Sequence, residues 1–236
     1  MNPPASDEIH LWKIEHSTVT TPYPVLYSLL NTEEQGRAER FVHDTHRRAF
    51  VMNRAALKLI LTRYCADTRN PQNIVFSYNN YGKPSLPDRP ELQFNISHSA
   101  DKALVAVSWN QTVGVDCEAI DKSISVHRIA RSQFSAAEYA HLLALPKCKI
   151  AGAFFQYWTR RESVMKAVGL GFSLDIRELR FEQDDAFTNV GCEMVIPHLP
   201  DTSVVVKDCQ SFAGFRASVA RERSLGDMIY FSFNAL

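Results

Sequence analysis

Residues 103–118, Ala-Leu-Val-Ala-Val-Ser-Trp-Asn-Gln-Thr-Val-Gly-Val-Asp-Cys-Glu, decide the fold class and lie at the middle of the chain. They predict two strands, Ala103–Trp109 and Val113–Glu118, joined as a hairpin by Asn110-Gln-Thr112. Upstream, Leu92, Phe94 and Ile96 alternate with Gln93, Asn95 and Ser97, which predicts a strand ending at Ser97-His98. Residues 8–15 alternate apolar and polar in the same way, as a half-buried strand does. Between these strands, Thr32-Glu-Glu-Gln35 reads as a capping box opening a helix to about Val42. A longer helix is expected over 45–64, with Ala49, Met52, Ala56, Leu59 and Ile60 inward and arginines outward. Tyr81-Gly-Lys-Pro-Ser-Leu-Pro-Asp-Arg-Pro90 reads as loop.

Downstream, Phe134-Ser135-Ala-Ala-Glu138 carries a second capping box, and a strong helix runs from about 150 to 168 and stops at Gly169-Leu-Gly171. The tail reads as strands over 177–182, 191–196, 203–207, 212–220 and 228–233. The expected class is therefore α+β. Helix followed by strands occurs twice, which suggests two similar halves meeting near residue 112.

Composition narrows the function. Of 236 residues 45% are hydrophobic, so a folded core is expected, and no apolar run approaches the roughly 18–20 residues of a membrane span. The start, Met1-Asn-Pro-Pro-Ala-Ser-Asp-Glu8, lacks a basic end followed by an apolar stretch, so no signal peptide is expected. Five cysteines (65, 117, 148, 192, 209) without a Cys-x-x-Cys indicate neither a disulfide framework nor a zinc ribbon. A cytoplasmic setting follows. The 26 cations balance 26 anions, but Arg37 to Arg63 holds seven cations against two anions, 7 − 2 = +5. A basic face on a neutral chain suits a local anionic ligand better than general nucleic-acid coating, although a solvated helix face has the same composition.

Three stretches carry chemistry. In Val113-Gly-Val-Asp116-Cys-Glu118 the two carboxylates share one strand face, about 6–7 Å apart. They read either as a solvated pair or as oxygen ligands suited to magnesium, manganese or calcium. In Ile150–Val168, Glu162 and Lys166 share an edge of the helix, whereas Arg161 sits among Ile150, Phe154, Tyr157, Trp158, Met165 and Val168, all within about 60° of it. A cation in an apolar stripe needs a partner, so a buried ionic site is expected there. Gly-Lys83-Pro holds a lysine on a stiff turn, and Ser97-His98 offers a hydroxyl and an imidazole to a phosphate. That pair is no serine-hydrolase dyad, because neighbours on a strand point opposite ways and Gly-x-Ser-x-Gly is missing. By itself it is as readily structural.

Together Gly-Lys83-Pro, Asn95-Ile-Ser-His98-Ser, Gly114-Val-Asp116-Cys-Glu118 and Trp158-Thr-Arg-Arg-Glu162-Ser-Val-Met-Lys166 resemble, in order and spacing, the surfactin-type 4'-phosphopantetheinyl transferases. The basic helix at 37–58 and Phe134-Ser-Ala-Ala-Glu138 add to the likeness, which spans about residues 30–175. The resemblance implies two similar α+β subdomains, 1–112 and 113–236, related by a pseudo-twofold with the cofactor in the cleft between them. It implies transfer of the phosphopantetheine arm of coenzyme A to a serine of an apo acyl or peptidyl carrier protein, releasing adenosine 3',5'-bisphosphate. Asp116, Glu118 and Glu162 would hold magnesium, and Lys166 would neutralise phosphate. Lys83, Ser97 and His98 would contact the nucleotide and its 3'-phosphate. Arg47 or Arg48, and after them Arg37, would complete the phosphate pocket.

Glu162 is the expected base, with Glu118 the alternative, and Arg161 would add positive charge at the reacting phosphate. One position departs from the family: Arg161 stands where a lysine is usual, keeping the charge but not a readily lost proton. Residues 119–134 are the expected carrier-facing segment, and a monomer is expected, with no nucleic acid or membrane as partner. A magnesium nuclease is disfavoured because Ala119-Ile120 follows Glu118 and only Phe41 and Phe50 interleave the basic run. A non-catalytic binding module is disfavoured because all three acidic positions and Lys166 are present.

Overall fold

Two four-stranded sheets meet edge to edge, and a long helix packs on each. The computed structural model describes residues 1–68, 70–171, 174, 175, 177, 179, 192–196, 199–222 and 225–234. The first sheet has the order β10-β1-β5-β4, with β1 Ile9–Glu15, β4 Leu92–Ser99, β5 Lys102–Trp109 and β10 Met228–Phe233. The second has the order β6-β9-β8-β7, with β6 Val113–Ala119, β7 Cys192–Ile196, β8 Leu199–Asp208 and β9 Phe215–Glu222. A short hairpin, β2 Ser77–Tyr78 and β3 Pro84–Ser85, stands apart.

The connectivity repeats. In the first half β1 leads through helices α1 Tyr23–Ser28, α2 Thr32–Glu39 and α3 Asp44–Thr62 to the antiparallel pair β4–β5, and β5 returns to β1. In the second, β6 leads through α4 Val126–Gln133, α5 Ala136–Ala144 and α6 Lys147–Val168 to the antiparallel pair β8–β9, and β9 returns to β6. The strand β10 crosses the division at residue 112: it belongs by position to the second half but pairs in parallel with β1.

Period-two burial explains the two-faced sheet. From β1 and β5, Trp12, Ile14, Val105 and Val107 pack against Ala56, Leu57, Ile60 and Leu61 of α3. On the opposite face Ile9, Leu11, Leu104 and Ala106 pack with Val113, Val115 and Cys117 of β6 and Val219 of β9. The first strand is thus buried on both faces rather than half-buried, since the second sheet covers the side expected to face water. The helix α3 buries Val51, Ala55, Leu57 and Leu61 beside Ala56 and Ile60. Ala49, Met52 and Leu59 are half-buried, so the inward face is rotated from the expected one.

The expected hairpin of 103–118 does not form. The strand β5 pairs with β1 and β4, β6 pairs with β9, and residues 110–112 step from one sheet to the other. Both strands carry apolar runs, which report burial but not the partner. The first capping box begins at Asn31, with Glu34 as its reciprocal partner, one residue earlier than expected. Ser135 and Glu138 form the second as read, and Gly169 ends α6 in the left-handed region at φ 75°. The expected strand 177–182 falls mostly outside the described residues. Among those described, no helix is long and apolar enough to cross a membrane.

Candidate active site

The sheets join where β4 and β6 run in parallel without a backbone ladder between them. Asn95 Oδ1 accepts from the amide of Val115 (2.9 Å), Ser97 Oγ from that of Cys117 (3.2 Å) and Ser99 Oγ from that of Ala119 (3.2 Å). Alternate side chains of one edge strand thus satisfy the free N–H groups of the other, which otherwise would be costly to bury. The helix α6 lies directly on this seam. A Cβ at Gly114 would overlap the carbonyl oxygen of Ser163 and the amide nitrogen of Ala167, so only glycine lets the helix approach.

That approach brings the acidic face of β6 to Lys166. The ammonium donates to Asp116 Oδ1 (2.6 Å) and to Ser97 Oγ (3.1 Å), and Ser97 itself donates to Asp116 Oδ1 (2.8 Å). Asp116 is 1% exposed, and its Oδ2 is buried with no protein partner. Glu118 Oε2 accepts from Ser99 (2.7 Å). Burial, and then the charge of Asp116, push the carboxyl pKa of both Glu118 and Glu162 above the usual range, while Lys166 opposes this. Among the described residues no three His, Cys, Asp or Glu side chains converge as a ligand cluster, and Lys166 occupies one oxygen of Asp116. The donor set nevertheless fits a hard divalent cation: Asp116, Glu118 and Glu162 offer only oxygens, and a buried Asp116 oxygen has no protein partner.

A cavity of about 440 Å3 opens beside this group, lined by Arg37, Arg54 and His98 of the first half and by Glu162 and Lys166 of the second. Its place within the cleft lowers the His98 pKa, and the Lys166 charge adds to that. Lys83 also lines the cavity, but its ammonium donates to the carbonyls of Ala167 (2.7 Å) and Val113 (3.3 Å), and burial lowers its pKa to about 8. Asn79 Nδ2 donates to Gly169 O (2.8 Å), so the β2–β3 loop ties down the end of α6.

Some of the expected residues have other partners in the structure. Ser97 is 5% exposed, and its hydroxyl bonds Asp116 and the amide of Cys117 across the seam. Arg161 is fully buried: Nη2 donates to both oxygens of Glu138 (2.7 and 2.6 Å) and to Leu179 O (3.0 Å), with the guanidinium 4.5 Å from the Phe134 ring. The buried ionic site exists as read, but it lies in the core of the second half, because the apolar stripe faces away from the cleft. Arg47 and Arg48 pair with Asp44 (both 2.6 Å) at the exposed start of α3 and do not line the cavity.

Arg54 lines the cavity instead, two turns beyond Arg47 on the same helix face. Its guanidinium lies 4.7 Å from the Phe76 ring and 5.7 Å from that of Phe50, and Nη1 is buried with no partner. The seven-residue spacing from Arg47 was the available signal. A second, apolar cavity of about 390 Å3 lies on the other side of Glu118, walled by Ser99, Ile124, Ile129, Phe154, Phe155 and Trp158.

Residues 112–194 match the 4'-phosphopantetheinyl transferase superfamily, and residues 15–110 match the 4'-phosphopantetheinyl transferase N-terminal family. The chain is 36% identical over 171 residues to the 4'-phosphopantetheinyl transferase HetI of Nostoc sp., covering 71% of each chain. It is 34% identical over 176 residues to Sfp of Bacillus subtilis, covering 73% of this chain and 75% of the relative. It is 32% identical over 220 residues to ffp of Bacillus subtilis, covering 89% and 91%.

Proposed function

The chain belongs to the surfactin-type 4'-phosphopantetheinyl transferases, and on that premise we propose the reaction it carries out and the residues that serve it. The phosphopantetheine arm of coenzyme A moves to a serine hydroxyl of an apo acyl or peptidyl carrier protein. The serine oxygen bonds to the phosphorus that carries the arm, the bond from that phosphorus to the diphosphate bridging oxygen breaks, and adenosine 3',5'-bisphosphate leaves. The observation that carries this reading is the 440 Å3 cavity, which sets cations of the first half opposite the carboxylate–lysine group of the second.

Residues 1–112 supply the anion contacts: Arg37 and Arg54 for phosphate, and His98 and the Lys83 loop for the nucleotide. Residues 113–236 supply the reacting end. Asp116, Glu118 and Glu162 would hold a magnesium ion, which when bound offsets the charge building on the diphosphate. Lys166 adds a fixed positive charge at the same point, and such preorganised charge is the main source of catalysis in phosphoryl transfer. Glu162 takes the serine proton; its burial makes it a stronger acceptor than an exposed glutamate. Glu118 lies on the far side, against the apolar cavity.

The carrier approaches over that apolar cavity, to which Ala119, Asp121, Ile124 and Ile129 of the 119–134 segment contribute. The reading includes a cytoplasmic monomer with no nucleic-acid or membrane partner. Intact-mass spectrometry of an apo carrier protein incubated with this enzyme, coenzyme A and magnesium tests it. The expected result is a gain of one phosphopantetheine, lost on adding EDTA. No gain with any acyl or peptidyl carrier, despite tight coenzyme A binding, would instead favour a binding module.

A further inference from the structure

The seam between β4 and β6 has a pattern that registering two strands does not require. Each rung residue of β4 also stands opposite a second position of β6, the residue before the amide it accepts from. Gly114 precedes the amide that Asn95 accepts from, whereas Ser97 bonds Asp116 and Ser99 bonds Glu118. Where the opposite residue has no side chain, the rung is an asparagine that accepts through its amide oxygen. Where it is a carboxylate, the rung is a serine. A hydroxyl has one proton and two lone pairs, so it can accept from the β6 amide and donate to the carboxylate at once. Both serines do so. Ser99 accepts from Ala119 N (3.2 Å) and gives its proton to Glu118 Oε2 (2.7 Å).

Glu118 has reason to need that hold. It faces the like charges of Asp116 and Glu162, and the apolar cavity beside it offers space for the side chain to turn away. Ser97 shares its carboxylate with Lys166, whereas Ser99 is the hydrogen-bond donor to Glu118 shown by the structure.

We propose that Ser99 is a positioning residue of the transferase: its hydroxyl fixes the Glu118 carboxylate at the metal end of the site, while its lone pair keeps β6 in register on β4. This rests on the reading of Glu118 as a metal-holding carboxylate. Loss of such an outer partner of a metal ligand typically costs about 10–100-fold in affinity or activity.

The test uses the full chain and Mn2+ as the probe, with free Mn2+ followed by electron paramagnetic resonance, beside steady-state turnover and thermal unfolding. In Ser99→Ala, Mn2+ affinity and kcat are expected to fall about tenfold or more, with KM for coenzyme A within about twofold of wild type. Ser99→Thr keeps the hydroxyl and is expected to restore both. Should Ser99→Ala not fold, Ser99→Cys keeps the volume with a weak donor and carries the same comparison. In an E118Q background, S99A is expected to weaken Mn2+ binding no further, because Ser99 acts through Glu118. A merely structural serine would lower Tm and leave Mn2+ affinity within twofold, and that result overturns the proposal. So does an S99A effect of equal size with and without Glu118. Wild-type protein that binds no Mn2+ overturns the metal reading itself, whereas normal wild-type binding with S99A unchanged overturns the Ser99 assignment alone.

Discussion

Replacing Glu138 by alanine is expected to destabilise the protein by about 3–5 kcal/mol, the usual cost of removing one partner of a buried ion pair. The side chains of Arg161 and Glu138 are 0% and 1% exposed, and they meet at 2.6 Å. The mutation takes the Glu138 carboxylate away from a guanidinium packed among Phe134, Phe154 and Tyr157. At about 2–4 °C per kcal/mol for a chain of this size, Tm should fall by about 6–20 °C. Urea unfolding of wild type, E138A, R161M and the double variant measures the pair. The double variant should recover much of the loss, because apolar replacement of a buried pair is often neutral. Folded R161M should bind coenzyme A within about twofold of wild type, since Arg161 does not reach the cleft. The reasoning fails if E138A unfolds within about 1 kcal/mol of wild type, or if folded R161M no longer binds coenzyme A.

Gly114→Ala should cost about 1–3 kcal/mol by overpacking against α6 and, by shifting Glu162 and Lys166, lower turnover about 100-fold; unchanged Tm and kcat would count against the close approach. Arg54→Met should raise KM for coenzyme A about 10–100-fold, the worth of a charge-assisted hydrogen bond, while Arg47→Ala changes it less than about twofold; steady-state kinetics of the two variants decides, and equal effects contradict the assignment. Glu162→Gln should fold normally yet lose about 10²–10⁴-fold in kcat, whereas Arg161→Lys should retain most activity in whatever fraction stays folded; full activity of E162Q would remove Glu162 from the mechanism. Lys83 releases its proton near pH 8 when folded and near 10.5 when unfolded, so between these values the unfolded chain binds more protons and stability rises with pH. The penalty is fully present below pH 8, and the rise is of order 3 kcal/mol across the window. The difference between wild type and K83M in unfolding free energy should show it, and a flat difference would refute it.

Legible in the sequence were the α+β class, the repeated helix-then-strands order, the Ser135–Glu138 cap, the Gly169 stop and the shared strand face of Asp116 and Glu118. These are local properties: period, capping chemistry and two carboxylates on one strand face are fixed within a few residues. It also placed Arg161 in a buried ionic site, because helical phase alone put a cation in an apolar stripe. Partners across the chain were decided by the tertiary structure. The strand β6 leaves the hairpin for β9, and β10 joins the first sheet, because apolar strands are interchangeable until whole faces are packed. Arg161 turns to Glu138 and Ser97 to Asp116, since a buried polar group takes the nearest partner that desolvation allows. Arg54, not Arg47, reaches the cleft, because two helical turns of depth separate a surface pair from a cavity wall.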